Sequence, residues 1–226
     1  MLVTSRSFEE YAAFFALSEH DLRGRILDCS AGASGFTAAA ADAGADVTAV
    51  DPVYAEPRGR LRAAAEAAQR EGAAIVDAHD GRFTWRWYGT PERRSSLRTG
   101  ALSAFADDLE RHPERYVPGA LPDLPFTVAA FDLALCSHLL FTWSDRFDEA
   151  WHEAALRELL RVAAEVRVFP LVTQGRGDPV PFLEPLLLRL RADGVDAAVE
   201  RVPYEFQVGA DRMLRLTRPE PSPAKP

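Results

Sequence analysis

Residues 27–36 read LDCSAGASGF, and 19 residues beyond Gly32 a second apolar run, VTAV, ends on Asp51. Small residues let a ligand approach the backbone closely, and a helix that follows such a turn presents unpaired N–H groups. A carboxylate about 20 residues further on is placed to accept from the two vicinal hydroxyls of a ribose. Asp51 precedes Pro52, which equally suits a turn that ends a strand. Asp28, just before the turn, would repel phosphate groups at low effective dielectric and suits a ligand that carries an ammonium group instead. Further along, FDLALCSH (131–138) is an apolar run that ends on Ser137 and His138. Of the five histidines, only His138 ends a buried-looking run, where an imidazole can serve as a base. A capping histidine paired with Asp145 or a carbonyl is the structural alternative.

The elements that must position these residues follow from the pattern. Arg25–Cys29, Val47–Val50, a brief Tyr116-Val117, 131–138 and 165–172 read as strands. Helices are expected over Ser7–Leu17, over Phe36–Ala43 ahead of Gly44, and over Arg60–Arg70. Further helices follow from Pro91, over Phe147–Ala164, and in PFLEPLLLRLRADG up to Gly194. VPYEFQVGADRMLRL, near the end, has the look of a hairpin. Alternating strands and helices with a terminal antiparallel pair predict an α/β, doubly wound, mainly parallel seven-stranded sheet. Ligands in such sheets bind beyond the carboxyl ends of the strands, at the point where strand order reverses. We expect one domain over 1–218, with an insert at about 72–115 and a disordered tail at 219–226.

Composition narrows the function classes. The net charge is −8 and Lys225 is the only lysine, so any basic patch must be built from arginine. Arg58, Arg60, Arg62, Arg93, Arg94 and Arg98 are interspersed with acids and read as a solvated helical face. Nucleic acid is therefore a disfavoured partner. The N-terminal apolar run is too short to span a membrane. Cys29 and Cys136 match no metal spacing and read as buried reduced thiols, as in a cytoplasmic protein. No metal is expected, since His138 and His152 with Asp145 or Asp148 follow no recognised ligand spacing.

With these residues in hand, the chain resembles the class I S-adenosylmethionine-dependent methyltransferases from about residue 22 to 218, and within them the uncharacterised, small-molecule-type members. LDCSAGASGF is similar to the family's acid-and-glycine turn, VTAVDP to the acidic end of its second strand, and LPDLPFTVAAFDLALCSHLLF to the stretch that leads into its fourth. The resemblance implies S-adenosylmethionine as cofactor. Asp28, Ser30, Ala31, Gly32 and Ser34 would lie around its methionine end, Asp51 and Pro52 at the ribose, and Leu121 near the adenine. Ser137 would lie beside the cofactor, and His138 would be the candidate base toward a small-molecule acceptor.

Several positions depart from the family pattern. Ser30 and Ser34 replace glycines, which is tolerated where φ stays negative, and Gly35 would move the permissive point along by one. Ala120 stands where an acid often meets the adenine. These departures keep open a second reading, a methyltransferase-like protein that is non-catalytic or has lost the cofactor. A third, a nicotinamide-dependent oxidoreductase, arises because AGASGF is similar to the turn of short-chain dehydrogenases, although no lysine is available for their Tyr-x-x-x-Lys pair. In the insert, Trp85, Trp87 and Tyr88 would form either an aromatic lid over the substrate or a satellite core. Arg6, Phe8 and Tyr11 would cover the cofactor's amino-acid end.

Overall fold

A computed structural model describes residues 3–175 and 177–218; the expected tail at 219–226 lies outside them. Seven strands form one sheet: β1 (Arg25–Cys29), β2 (Asp46–Val50), β3 (Tyr116–Val117), β4 (Phe131–Ser137), β5 (Ala163–Phe169), β6 (Asp196–Arg201) and β7 (Arg212–Thr217). Their spatial order is β3-β2-β1-β4-β5-β7-β6, with β7 antiparallel to both of its neighbours and the remaining pairs parallel. The central strands carry continuous apolar runs because helices cover both faces. Ile26, Leu27, Ala134 and Leu135 accordingly have no exposed surface. Strand order reverses between β1 and β4, so the turn after Cys29 and the Ser137-His138 pair share one rim.

The helices are α1 (Phe8–Phe14), α2 (Phe36–Asp42), α3 (Arg58–Ala78), α4 (Pro91–Arg111), α5 (Glu149–Val162) and α6 (Leu183–Ala192). Local chemistry sets their starts. Ser7 and Glu10 form a reciprocal capping box on α1, Thr90 caps α4 ahead of Pro91, and the Asp148 carboxylate accepts from the Trp151 N–H on α5. In the insert, helix α3 runs on past the expected Arg70 to Ala78. The aromatic stretch after it is not a regular strand. Phe83 makes a single antiparallel bridge to Gln207, and the Thr84 N–H donates to Phe206 O at 2.7 Å. The insert is thereby tied to the β6–β7 loop, and the two together overhang the carboxyl ends of β4 and β5.

Candidate functional site

The turn after β1 holds two left-handed residues, Ser30 (φ 61°) and Gly32 (φ 57°). Ser30 thus does not keep the negative φ expected of it. The strain is held by the β2 edge, where the Ser30 and Ala31 N–H groups both donate to Val50 O. Gly35 does not take over as the permissive point either, since its φ is −83°. A glycine is required there by close approach: a Cβ would lie 2.7 Å from Ala101 O on α4.

Asp51 lies at the carboxyl end of β2, as expected, but its carboxylate is committed to the backbone. Oδ2 accepts from the Gly32 N–H at 2.9 Å and Oδ1 from the Val53 N–H at 3.0 Å, and the residue is only 7% exposed. Burial raises its pKa against those two hydrogen bonds. Gly32 and Asp51, expected to hold opposite ends of the cofactor, are therefore joined directly to each other.

The N-terminal segment completes the closure. Ala33 and Gly35 donate their N–H groups to Thr4 O and Arg6 O at 3.2 and 2.9 Å. A Cβ on Gly32 would meet Thr4 O at 3.3 Å. The Tyr54 hydroxyl donates to Gly32 O at 2.9 Å, and Val3, Leu61 and Phe105 pack in the same apolar cluster as Ala31 and Ala33. The close approach that the small residues permit is thus taken by the chain's own backbone. While residues 3–6 stay in place, the space between Gly32 and Asp51 does not accommodate a nucleoside.

Of the remaining expected cofactor residues, Asp28, Ser34 and Leu121 are also enclosed, whereas Pro52 is not. Asp28 has no exposed surface; the Tyr11 hydroxyl donates to it at 2.9 Å, and burial pushes its pKa up to about 7. It orders α1 against the turn. Ser34 caps the Phe36 N–H through its hydroxyl, Leu121 is buried in the main core, and Pro52 is exposed at the start of a short 3-10 turn.

Open space adjoins the N-terminal segment rather than the turn itself. Two adjoining cavities, about 290 and 150 Å³, run between the N-terminal segment, α3, α4 and the ends of β4 and β5. His138 lines the smaller one. Its backbone takes φ 58°, held by an N–H bond to Phe169 O at 2.7 Å, and the ring packs edge-on against Phe14 and Phe169. Nδ1 shares a 2.7 Å hydrogen bond with the Ser137 hydroxyl, so neither Asp145 nor a carbonyl is its partner. Burial, and secondarily the charge of Arg6, hold its pKa well below the usual histidine range, leaving the imidazole neutral. His152 is structural. Its Nε2 accepts from the Phe141 N–H at 3.0 Å, and its Nδ1 lies 2.8 Å from Asp148 O.

The insert's aromatic residues divide. Tyr88 is core, 1% exposed, with its hydroxyl bonded to Glu10 and, at 3.0 Å, to Tyr204. Trp87 packs on Tyr88 and Tyr204, while Trp85 lines the larger cavity. The arginines divide too. Arg58, Arg60 and Arg62 pair with surface acids, but Arg94 and Arg98 line both cavities together with Arg6. Composition and spacing do not mark this split, because it depends on which side of α4 meets the N-terminal segment. The helical offset from Arg94 to Arg98, which sets both on one face, was the one available hint.

No protein-family model matches the chain. Over 222 residues, 96% of each chain, it is 26% identical to the uncharacterized protein MJ0045 of Methanocaldococcus jannaschii. Among solved structures it is similar to the 1,6-didemethyltoxoflavin-N1-methyltransferase of Burkholderia thailandensis, with bound 1,6-didemethyltoxoflavin and S-adenosylhomocysteine. That likeness has a TM-score of 0.52 at 18% identity and covers 94% of this chain and 78% of that one. The magnesium protoporphyrin IX methyltransferase of Synechocystis PCC 6803, with bound S-adenosylmethionine, gives a TM-score of 0.49 at 14% identity, covering 88% and 73%. The chain has the fold of the class I S-adenosylmethionine-dependent methyltransferases. Among the described residues, no helix is long and apolar enough to cross a membrane.

Proposed function

We propose that the protein transfers a methyl group from S-adenosylmethionine to a small molecule held in the cleft beside His138. The observation that carries this reading is the shared rim: the turn after β1, Asp51 at the end of β2 and Ser137-His138 at the end of β4 lie together at the switch point of a methyltransferase-type sheet. Residues 3–6 close the nucleoside groove in the described state, so cofactor binding requires that segment to lift away. His138 is kept neutral by burial and faces the cleft, where it can accept a hydrogen bond from the group that receives the methyl, although its lowered pKa makes it a weak base.

The direct bond from Gly32 to Asp51 favours a second reading, a protein of methyltransferase fold that works without the cofactor. Calorimetry with S-adenosylmethionine, S-adenosylhomocysteine and NADH separates the two, applied to the full chain and to a variant lacking residues 1–4. Methyl transfer requires the first two ligands to bind, about tenfold more tightly to the shortened chain and at least about tenfold more weakly after Asp51→Ala. Binding of neither sulfur compound to either chain makes the second reading correct. A preference for NADH would instead point to an oxidoreductase.

A further inference from the structure

Arg6, Arg94 and Arg98 converge on the two cavities, and among the cavity-facing groups they are unevenly matched. Each nitrogen of Arg98 has a partner: its Nε donates to Glu10 Oε1 at 2.8 Å, its Nη1 to Ser5 O at 2.9 Å and its Nη2 to the Tyr88 hydroxyl at 3.4 Å. Arg6 reaches the same Glu10 oxygen only at 3.9 Å. Arg94 lies over the Phe206 ring, 4.9 Å from its centroid. The Nε–H groups of Arg6 and Arg94 are buried, and neither has a hydrogen-bond partner among the described residues.

One buried carboxylate, Glu10, therefore stands against three permanently charged guanidinium groups. The acids of the larger cavity, Glu71 and Asp77, are exposed on α3, and among the described residues no acid lines the smaller one. A buried guanidinium N–H without an acceptor is costly, and a carboxylate or phosphate ester presents the planar pair of oxygens that such a fork best accepts. The walls around the arginines are Phe169, Tyr204 and Phe206 in the smaller cavity, with Trp85 in the larger one. Cavities of about 150 and 290 Å³ suit a body of one or two rings.

From this geometry we infer that the cleft binds a small aromatic acid, its anionic group held by Arg6 and Arg94 and its ring lying in the cavity that Phe169, Tyr204 and Phe206 line, toward His138. The inference rests on the proposal that the acceptor sits in this cleft, and it names that acceptor's chemistry. It also singles out Arg94, on α4, as a residue that sets specificity.

Calorimetry with benzoate, phenyl phosphate, benzamide and inorganic phosphate tests it without any cofactor or turnover. Benzoate or phenyl phosphate should bind at least about tenfold more tightly than neutral benzamide and than inorganic phosphate. Arg94→Gln should remove about tenfold of that affinity at unchanged circular dichroism, whereas Arg60→Gln, on the exposed side of α3, should leave it intact. The relative strengths of benzoate and phenyl phosphate identify the anionic group. Equal binding of benzamide, equal binding of inorganic phosphate, affinity that survives Arg94→Gln, or no binding of either aromatic acid would each overturn the inference. If aromatic acids bind but neither chain takes up S-adenosylmethionine, methyl transfer falls and the acid site stands.

Discussion

Asp28 shows how far burial alone can move a side chain's chemistry. Its carboxyl is fully buried beside Tyr11 and Thr37, and loss of solvation, reinforced by the nearby charge of Asp51, lifts its pKa from 3.8 to about 7. The folded state therefore holds a proton that the unfolded state gives up near pH 4. The contribution of Asp28 to stability is fully present below that point, falls as pH rises to about 7 and then levels, with a total loss on the order of 4 kcal/mol. Asp28→Asn should flatten this slope in urea unfolding measured from pH 4 to 8; an unchanged slope would show that another group carries it. At this scale the sequence was legible in type but not in partner. Asp28, Asp51 and His138 were singled out, and the structure places each at the rim. Yet Asp28 meets a tyrosine from α1, and Asp51 meets the turn it was expected to face across a ligand. Those partners come from contacts distant in the chain, which spacing along a sequence does not encode. Arg94 and Arg98 were merged with solvated arginines for the same reason.

At the scale of elements, what was legible followed from period and composition. Continuous apolar runs marked β1, β2, β4 and β5, and even the two-residue β3 was found where Tyr116-Val117 suggested it. The insert was harder because its aromatic alternation mimics a strand, whereas its rings actually pack between α1, α4 and the β6–β7 loop. The contact between α2 and α4 is similarly invisible in sequence, although it decides the role of Gly35. A methyl group at that position would lie 2.7 and 2.8 Å from the Ala101 carbonyl oxygen and Cα, so backbone must move. Gly35→Ala should cost about 1–3 kcal/mol, as overpacking does elsewhere. Gly100, one residue before Ala101 in α4, lies in a regular exposed turn of helix, and a methyl group added there would meet nothing within 4 Å. Gly100→Ala should stabilise by about 0.5–1 kcal/mol. Thermal denaturation of both variants reads the contrast directly, and equal shifts of the same sign would mean that α2 and α4 do not approach as described.

For the whole molecule, the decisive question is whether residues 3–6 belong to the cooperative core or open by themselves. The hydrogen bonds at the turn divide accordingly. Ser30 and Ala31 N–H groups donate to Val50 O, inside the sheet, whereas those of Ala33 and Gly35 donate to Thr4 O and Arg6 O, on the N-terminal segment. Segment opening frees the second pair while leaving the first intact, so the four amides report two different free energies. Hydrogen exchange should therefore proceed through a subglobal opening at Ala33 and Gly35 and only through global unfolding at Ser30 and Ala31. Saturating S-adenosylhomocysteine should remove the bond from Ala33 to Thr4, if it displaces the segment, while protecting Ser30 and Ala31 further. An aromatic acid held by Arg6 should do the reverse at Gly35, because it anchors the residue whose carbonyl that amide meets. Since each ligand then favours a different position of one segment, each should weaken the other's binding by the same factor. Exchange of all four amides at a single global rate would show that the N-terminal segment is a fixed part of the core, and that a nucleoside has no way into the groove between Gly32 and Asp51.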